Sequence, residues 1–231
     1  ADNVAHNMVR TLFFSMGDAN KLKNRPKDVE KSEFKKIGIL GAGMMGAGIA
    51  NVTAMAGLQV VLLDSTLESA EKGKSYSEDL LNKAIKRKRM TEEKRDGILG
   101  LIKPTVDYAD LDGCDMVIEA VFEDRTIKAD VTAKTEAVIA ADAIFASNTS
   151  TLPITGLAEA SARPANFIGL HFFSPVDKMP LVEIIMGEKT GDVALARAMD
   201  FVKRIRKTPV VVNDSRGFYT SRVFATYVRE G

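Results

Sequence analysis

Ile37-Gly-Ile-Leu40-Gly41-Ala-Gly43-Met44-Met45-Gly46 decides the fold of this chain. A short apolar run ends in three glycines at GxGxxG spacing, and a helical pattern then continues to about Ala56, where Gly57 supplies a cap. Leu58 to Leu63 reads as a second buried strand that ends at Asp64. Strand, glycine turn, helix, strand and terminal acid, in that order, predict a dinucleotide-binding βαβ unit. Gly41 permits the tight turn, Gly43 leaves room for a pyrophosphate, and Gly46 lets helix and strand pack closely. The helix start, at Met44 and Met45, offers free N–H groups and the positive end of the helix dipole to phosphate.

Asp64 lies 23 residues after Gly41, where a carboxylate can accept both ribose hydroxyls of adenosine. That carboxylate repels a 2′-phosphate, and the following Ser65-Thr66 supplies no arginine to hold one, so the sequence favours NAD over NADP. The competing structural role for Asp64 is an N-cap of the next helix.

The same alternation continues outward. A long helix is expected from about Leu67 to Met90, and Thr91-Glu-Glu-Lys94 starts another with a good N-cap. Met116–Val121 reads as a strand, Arg125–Ala140 as a helix and Ala143–Ala146 as a strand. Later strands fall near Phe167–Leu170, Val182–Ile185 and Pro209–Val212, with Val193–Arg206 helical between the last two. Buried strands separated by helices imply an α/β fold, a Rossmann-type doubly wound and mostly parallel sheet covered on both faces. Before it, residues 1–33 read as a helix carrying Val4, Met8 and Leu12 at i, i+4, i+8, followed by a polar linker around Pro26. The dinucleotide domain is expected over 34–215, and 216–231 as the start of a helical domain.

Composition removes several classes. The chain has 231 residues, 45% hydrophobic and 27% charged, enough for a core without staples. A single cysteine, Cys114, excludes an intrachain disulfide framework and multi-cysteine zinc sites, and two histidines, His6 and His171, make a histidine-built metal site improbable. A net charge of +1 argues against a dedicated nucleic-acid binder. Asp2, Asn3, His6 and Asn7 interrupt any signal-peptide core. Ile37–Leu63 runs 27 residues without a charge, but its six glycines and its change of period midway argue against a membrane span.

Chemistry in such folds sits at the carboxyl ends of the strands. There the sequence places Glu119 to Glu123, then Ser147-Asn148-Thr149-Ser150, then His171. Glu183 lies inside the apolar strand Leu181-Val-Glu-Ile-Ile185, where a lone charge is costly, so His171 is its expected partner. A histidine–glutamate pair beside a dinucleotide suggests hydroxyl oxidation: the imidazole takes the O–H proton and the carboxylate fixes its tautomer. Ser150 and Asn148 can orient a substrate oxygen and the nicotinamide carboxamide, or simply form the turn before Pro153. Lys86-Arg-Lys-Arg89 and Lys128 are cations that can meet a phosphorylated tail, although a helix-end basic run also complements the dipole.

Ile39-Leu-Gly-Ala-Gly-Met-Met-Gly46, Glu119-Ala-Val-Phe-Glu123, Ala146-Ser-Asn-Thr-Ser150 and Gly169-Leu-His-Phe-Phe-Ser-Pro175 together resemble the 3-hydroxyacyl-CoA dehydrogenase family, from about Phe34 onward. Phe-Phe-Ser-Pro, Asp177-Lys-Met and Gly217-Phe-Tyr look most like its multifunctional branch, whose members carry an enoyl-CoA hydratase domain upstream. The resemblance implies NAD-dependent oxidation of (S)-3-hydroxyacyl-CoA to 3-oxoacyl-CoA in fatty-acid β-oxidation. It implies His171 and Glu183 as the catalytic pair, Ser150 on the substrate oxygen, and Asn148, Glu123, Lys128 and Ser174 on the cofactor side. Ser174 and Ser221 stand where single-function members usually have asparagine. The resemblance also implies an acyl-CoA substrate, a thiolase subunit as partner, and a dimer contact in a helical domain that would follow. The expected location is the bacterial cytoplasm or, with a targeting segment upstream, the mitochondrial matrix. Tyr219, Val223 and Tyr227 begin an apolar stripe, so the chain is expected to be a piece that binds NAD with little turnover. The alternative is a non-catalytic dinucleotide-binding module.

Overall fold

The computed structural model describes residues 2–230. It opens with α1 (Asp2–Val9), which runs through a π-helical stretch at Arg10–Ser15 into α2 (Met16–Asn20). The expected N-terminal helix is present, but Val4, Met8, Leu12 and Phe13 are exposed rather than packed; Ala1 lies outside the described residues. Then β1 (Lys36–Leu40), α3 (Met44–Met55) and β2 (Gln59–Leu63) form the βαβ unit read from the glycine motif. α4 (Leu67–Lys86) and α5 (Glu92–Gly100) follow, and Thr66 and Thr91 cap them by accepting the N–H groups of Ser69 and Lys94.

β3 (Ile102–Thr105) was not foreseen. It is four residues long, contains Pro104 and pairs only with β2 at the sheet edge, so neither alternation nor a long apolar run marks it. β4 (Met116–Glu119), α6 (Arg125–Glu136), β5 (Ile144–Ser147) and the short α7 (Ile154–Leu157) continue the alternation. β6 (Phe167–Phe172), β7 (Leu181–Met186), α8 (Asp192–Arg204), β8 (Thr208–Asn213) and α9 (Thr220–Glu230) complete it. Four expected elements end early: α4 at Lys86 rather than Met90, β4 at Glu119 rather than Val121, α6 at Glu136 rather than Ala140, and α8 at Arg204 rather than Arg206. In α4 the cause is visible, since Lys88 takes a positive φ of 56° that a continuing helix excludes.

The strand order is β3-β2-β1-β4-β5-β6-β7-β8. All neighbours are parallel except β6 and β7, which run antiparallel. The order reverses between β1 and β4, which opens a crevice at the carboxyl ends of the strands. One face buries Ile49 of α3, Leu81 of α4 and Phe201 of α8 against the sheet. The other buries Val131 of α6 and Leu157 of α7, with Phe145 stacked on Phe167 at 5.3 Å. No helix among the described residues is long and apolar enough to cross a membrane. Nor is any group of three or more His, Cys, Asp or Glu placed there to hold a metal.

The polar stretch between α2 and β1, read from sequence as a linker, is pinned. Arg25 donates to both carboxylate oxygens of Asp200 at 2.8 and 2.9 Å and to the carbonyls of Pro26, Val29 and Glu30. Asp200 also accepts the N–H of Ser32 at 2.9 Å. Burial pushes the Asp200 carboxyl up, but Arg25 and Ser32 outweigh it and hold it below the ordinary aspartate range. Its contribution to stability is therefore complete above the unfolded pKa and lost as pH falls through the lower folded value. Asp200→Asn should cost about 1–3 kcal/mol at neutral pH by urea unfolding, with the deficit closing as pH falls through the lowered folded value. A deficit that is the same in acid would contradict the pairing.

Candidate active site

The glycine loop is built by contacts that admit no side chain. Gly41 has φ +89°, and a Cβ there would lie 2.6 Å from the Ala120 carbonyl oxygen at the end of β4. A Cβ on Gly46 would lie 1.7 Å from the Gly41 carbonyl oxygen, so α3 begins where it does only because Gly46 has none. Gly43 differs: nothing lies within 4 Å of its Cβ position, which leaves open space over the loop. Thr66, Thr91 and Asp124 cap α4, α5 and α6, whereas no side chain caps α3. The N–H groups at Met44 and Met45 thus remain for an anion at the crevice.

Asp64 does not cap α4; Thr66 does. The Asp64 carboxylate accepts the N–H of Ala42 at 2.7 Å through one oxygen and the N–H of Ser65 at 2.6 Å through the other. It therefore ties the end of β2 to the glycine loop and stands at the edge of the same crevice. The open Gly43 position, the uncapped helix start and this carboxylate fit the pyrophosphate and adenosine ribose of NAD.

Across the switch point, β4 delivers Glu119, which is buried. It accepts Lys128 Nζ at 2.8 Å, Ser147 Oγ at 2.7 Å and the N–H of Val121 at 2.8 Å. Lys128 is buried as well and reaches Glu123 at 3.1 Å. The reading of Lys128 as a cation open to a phosphorylated tail is therefore corrected: its ammonium is held between two carboxylates. Glu123 also accepts the Thr149 and Thr151 hydroxyls and the N–H of Ser150 at 3.3 Å. Burial pushes the Glu123 carboxyl up, and Thr149 and Lys128 bring it below the ordinary glutamate range. Ser150 itself is exposed, held in place by its backbone, and no hydrogen bond joins it to His171 among the described residues.

His171 and Glu183 meet as expected. They are opposed across the antiparallel β6–β7 pair, and Nδ1 of His171 lies 2.7 Å from Glu183 Oε2. Glu183 is 0% exposed, and its Oε1 accepts the N–H groups of Tyr219 and Thr220 at 3.2 and 2.8 Å. Burial pushes its carboxyl up, but His171 and Thr220 more than compensate, so it ionises below the ordinary glutamate range. The His171 ring packs against Phe173 at 4.4 Å and Phe218 at 6.0 Å between centroids. With Nδ1 engaged, Nε2 is the nitrogen left for a substrate. Beside it, Asn148 Oδ1 accepts the N–H of Phe172 at 2.9 Å, tying the ends of β5 and β6. Ser174 reaches the glycine loop, its Oγ 3.6 Å from Met44 Sδ.

Sequence reasoning passed over Glu119 as a ligand of Lys128, and over Phe218 as a wall of the histidine. Glu119 carried a usable signal, an acid closing the apolar run Met116-Val-Ile nine residues before a lysine. Phe218 carried none, because it is buried outside any regular element, at a positive φ of 48°, where no periodicity marks it.

Comparison with known proteins follows the same outline. The NAD-binding domain of the 3-hydroxyacyl-CoA dehydrogenase family matches residues 36–215. An (S)-3-hydroxybutyryl-CoA dehydrogenase from Ralstonia eutropha is similar at 37% identity and TM-score 0.83, over 86% of this chain and 70% of that one. The Escherichia coli 3-hydroxybutyryl-CoA dehydrogenase is 31% identical at TM-score 0.83, over 86% of this chain and 42% of its own. The dehydrogenase part of multifunctional enzyme 1 from C. elegans is 30% identical at TM-score 0.75, over 87% and 45%.

The buried lysine provides a direct test of this electrostatic arrangement. Lys128→Met should destabilise the chain by about 3–5 kcal/mol, because it strands Glu119 without a counter-charge. Adding Glu119→Gln to it should recover most of that loss in urea unfolding. A double variant no more stable than Lys128→Met would show that packing, not charge, sets the cost.

Proposed function

Because this chain belongs to the 3-hydroxyacyl-CoA dehydrogenase family, through its NAD-binding domain, we propose that it oxidises (S)-3-hydroxyacyl-CoA to 3-oxoacyl-CoA. The reaction is assigned to fatty-acid β-oxidation, in a multifunctional parent. Similarity to the dehydrogenase part of a multifunctional enzyme supports that setting. The observation that carries the mechanism is the 2.7 Å contact between His171 Nδ1 and buried Glu183.

NAD, when bound, would supply the hydride acceptor, taking the hydrogen of the hydroxyl-bearing carbon together with its two bonding electrons. The chain's own residues handle the proton. Glu183 keeps the proton of the neutral imidazole on Nδ1, so the Nε2 lone pair faces the substrate hydroxyl. As Nε2 takes the O–H proton, the ring becomes an imidazolium and Glu183, already ionised, stabilises it. General-base assistance of this kind contributes about 10²–10⁴ in rate. Ser150, exposed at the end of β5, is assigned to the substrate oxygen. Asn148 and Ser174 are assigned to the cofactor side. Glu123 supports them by fixing the 149–151 turn, with Lys128 positioning Glu123 from below. Asp64 is assigned to the adenosine ribose, where it would repel a 2′-phosphate.

α9 starts on Glu183, yet Tyr219, Val223, Phe224 and Tyr227 are exposed. Weak turnover is assigned to the chain by itself, because these apolar side chains face water rather than a packed acyl chain.

The test uses acetoacetyl-CoA-dependent NADH consumption together with calorimetry. Wild type should bind NADH well above NADPH and show measurable, slow turnover. His171→Ala should reduce that turnover by about 10²-fold or more and leave NADH affinity nearly unchanged. A large loss of NADH affinity in His171→Ala would make the histidine structural. Equal affinity for the two cofactors would refute the role given to Asp64.

A further inference from the structure

Lys207 is a buried ammonium that the catalytic reading leaves unused. It precedes β8, is 6% exposed, and donates to the carbonyls of Val176 and Met179 at 2.5 and 2.6 Å. No ion pair among the described residues includes it. Burial pushes its pKa below the ordinary lysine range, with Asp177 opposing. A cation held without a counter-ion carries a desolvation cost that only its hydrogen bonds offset, so what those bonds hold is informative.

Both acceptors belong to the connection from β6 to β7, the segment that follows His171. It carries Ser174, whose hydroxyl lies 3.6 Å from the sulfur of Met44. Val176 of the same connection is buried against Gly48, where an added Cβ would come within 2.8 Å of the Val176 Cβ. Met44 and Gly48 lie in the first two turns of α3, the helix assigned to the pyrophosphate. The connection thus touches α3 on one side and is tied to β8 on the other.

We propose that Lys207 is a positioning residue for the dinucleotide, clamping the β6–β7 connection onto the start of α3 so that Ser174 stays at the glycine loop. This rests on the reading of the crevice as the NAD site. Lys207 touches neither cofactor nor substrate in this account; it acts through Val176 and Met179.

Hydrogen exchange and ligand binding on Lys207→Met test it. Without ligand, amides of residues 176–179 should exchange at least tenfold faster than in wild type, while those of β1 and β4 stay unchanged. NADH affinity should fall about tenfold, and 5′-AMP affinity, set by the Asp64 end, should hold within about twofold. That split separates positioning from general structural damage, which would weaken both ligands. Should Lys207→Met not fold, Val176→Ala releases the same connection from its other side, and the same selective loss is expected. Unchanged exchange in 176–179, or equal losses for NADH and 5′-AMP, would overturn the proposal. A wild type that binds no NADH would instead overturn the cofactor reading on which it rests.

Discussion

A carboxylate with no exposure to water, inside an otherwise apolar strand, is the constraint from which the rest of this site follows. Glu183 cannot stay ionised there unless both oxygens are satisfied, because an unpaired buried charge costs several kcal/mol. One oxygen faces His171 across the sheet, and the other takes the first N–H groups of α9. The antiparallel step from β6 to β7 is what makes the first contact possible. It sets residues 171 and 183 directly opposite, with side chains on one face. The second contact anchors α9 to the strand that carries the acid, so the start of the C-terminal helix and the tautomer of the histidine depend on one group.

A parallel logic operates on the other side of the crevice. Glu119 closes β4 next to the glycine loop and is neutralised by Lys128 from α6, and that lysine steadies Glu123, which fixes the turn after β5. Two strand ends, those of β4 and β5, are thereby held in one arrangement before any ligand arrives. Preorganisation of this kind matters because a catalytic group must be held near its productive geometry by its supporting contacts. The two carboxylates each lie at 0–1% exposure: Glu183 is satisfied by His171 and two backbone N–H groups, and Glu119 by Lys128, the Ser147 hydroxyl and one backbone N–H.

The parts of the fold visible in sequence are those where one residue type has one physical use. Gly41 and Gly46 sit where a Cβ would strike main-chain oxygen, and Glu183 in a buried strand required a partner, for which His171 was the obvious candidate. What escaped was context. β3 is a short edge strand with a proline, which leaves no periodic trace. The stretch around Arg25 is polar and therefore reads as a linker, yet its polar groups are used on Asp200, 175 residues away in sequence. Lys128 looked like an open cation because sequence shows charge without showing that Glu119 lies beneath it. Asn148 and Ser150 were balanced between turn formation and ligand contact. The structure gives Asn148 a definite structural bond, to the N–H of Phe172, and leaves Ser150 exposed.

The central claim is that Glu183 fixes the proton of the neutral imidazole on Nδ1 and leaves Nε2 as a free base. Nitrogen-15 NMR of His171 in histidine-labelled protein at neutral to mildly alkaline pH measures this directly. The account predicts a protonated Nδ1 and an unprotonated Nε2, with that preference lost in Glu183→Gln. A wild-type imidazole carrying its proton on Nε2 would contradict it.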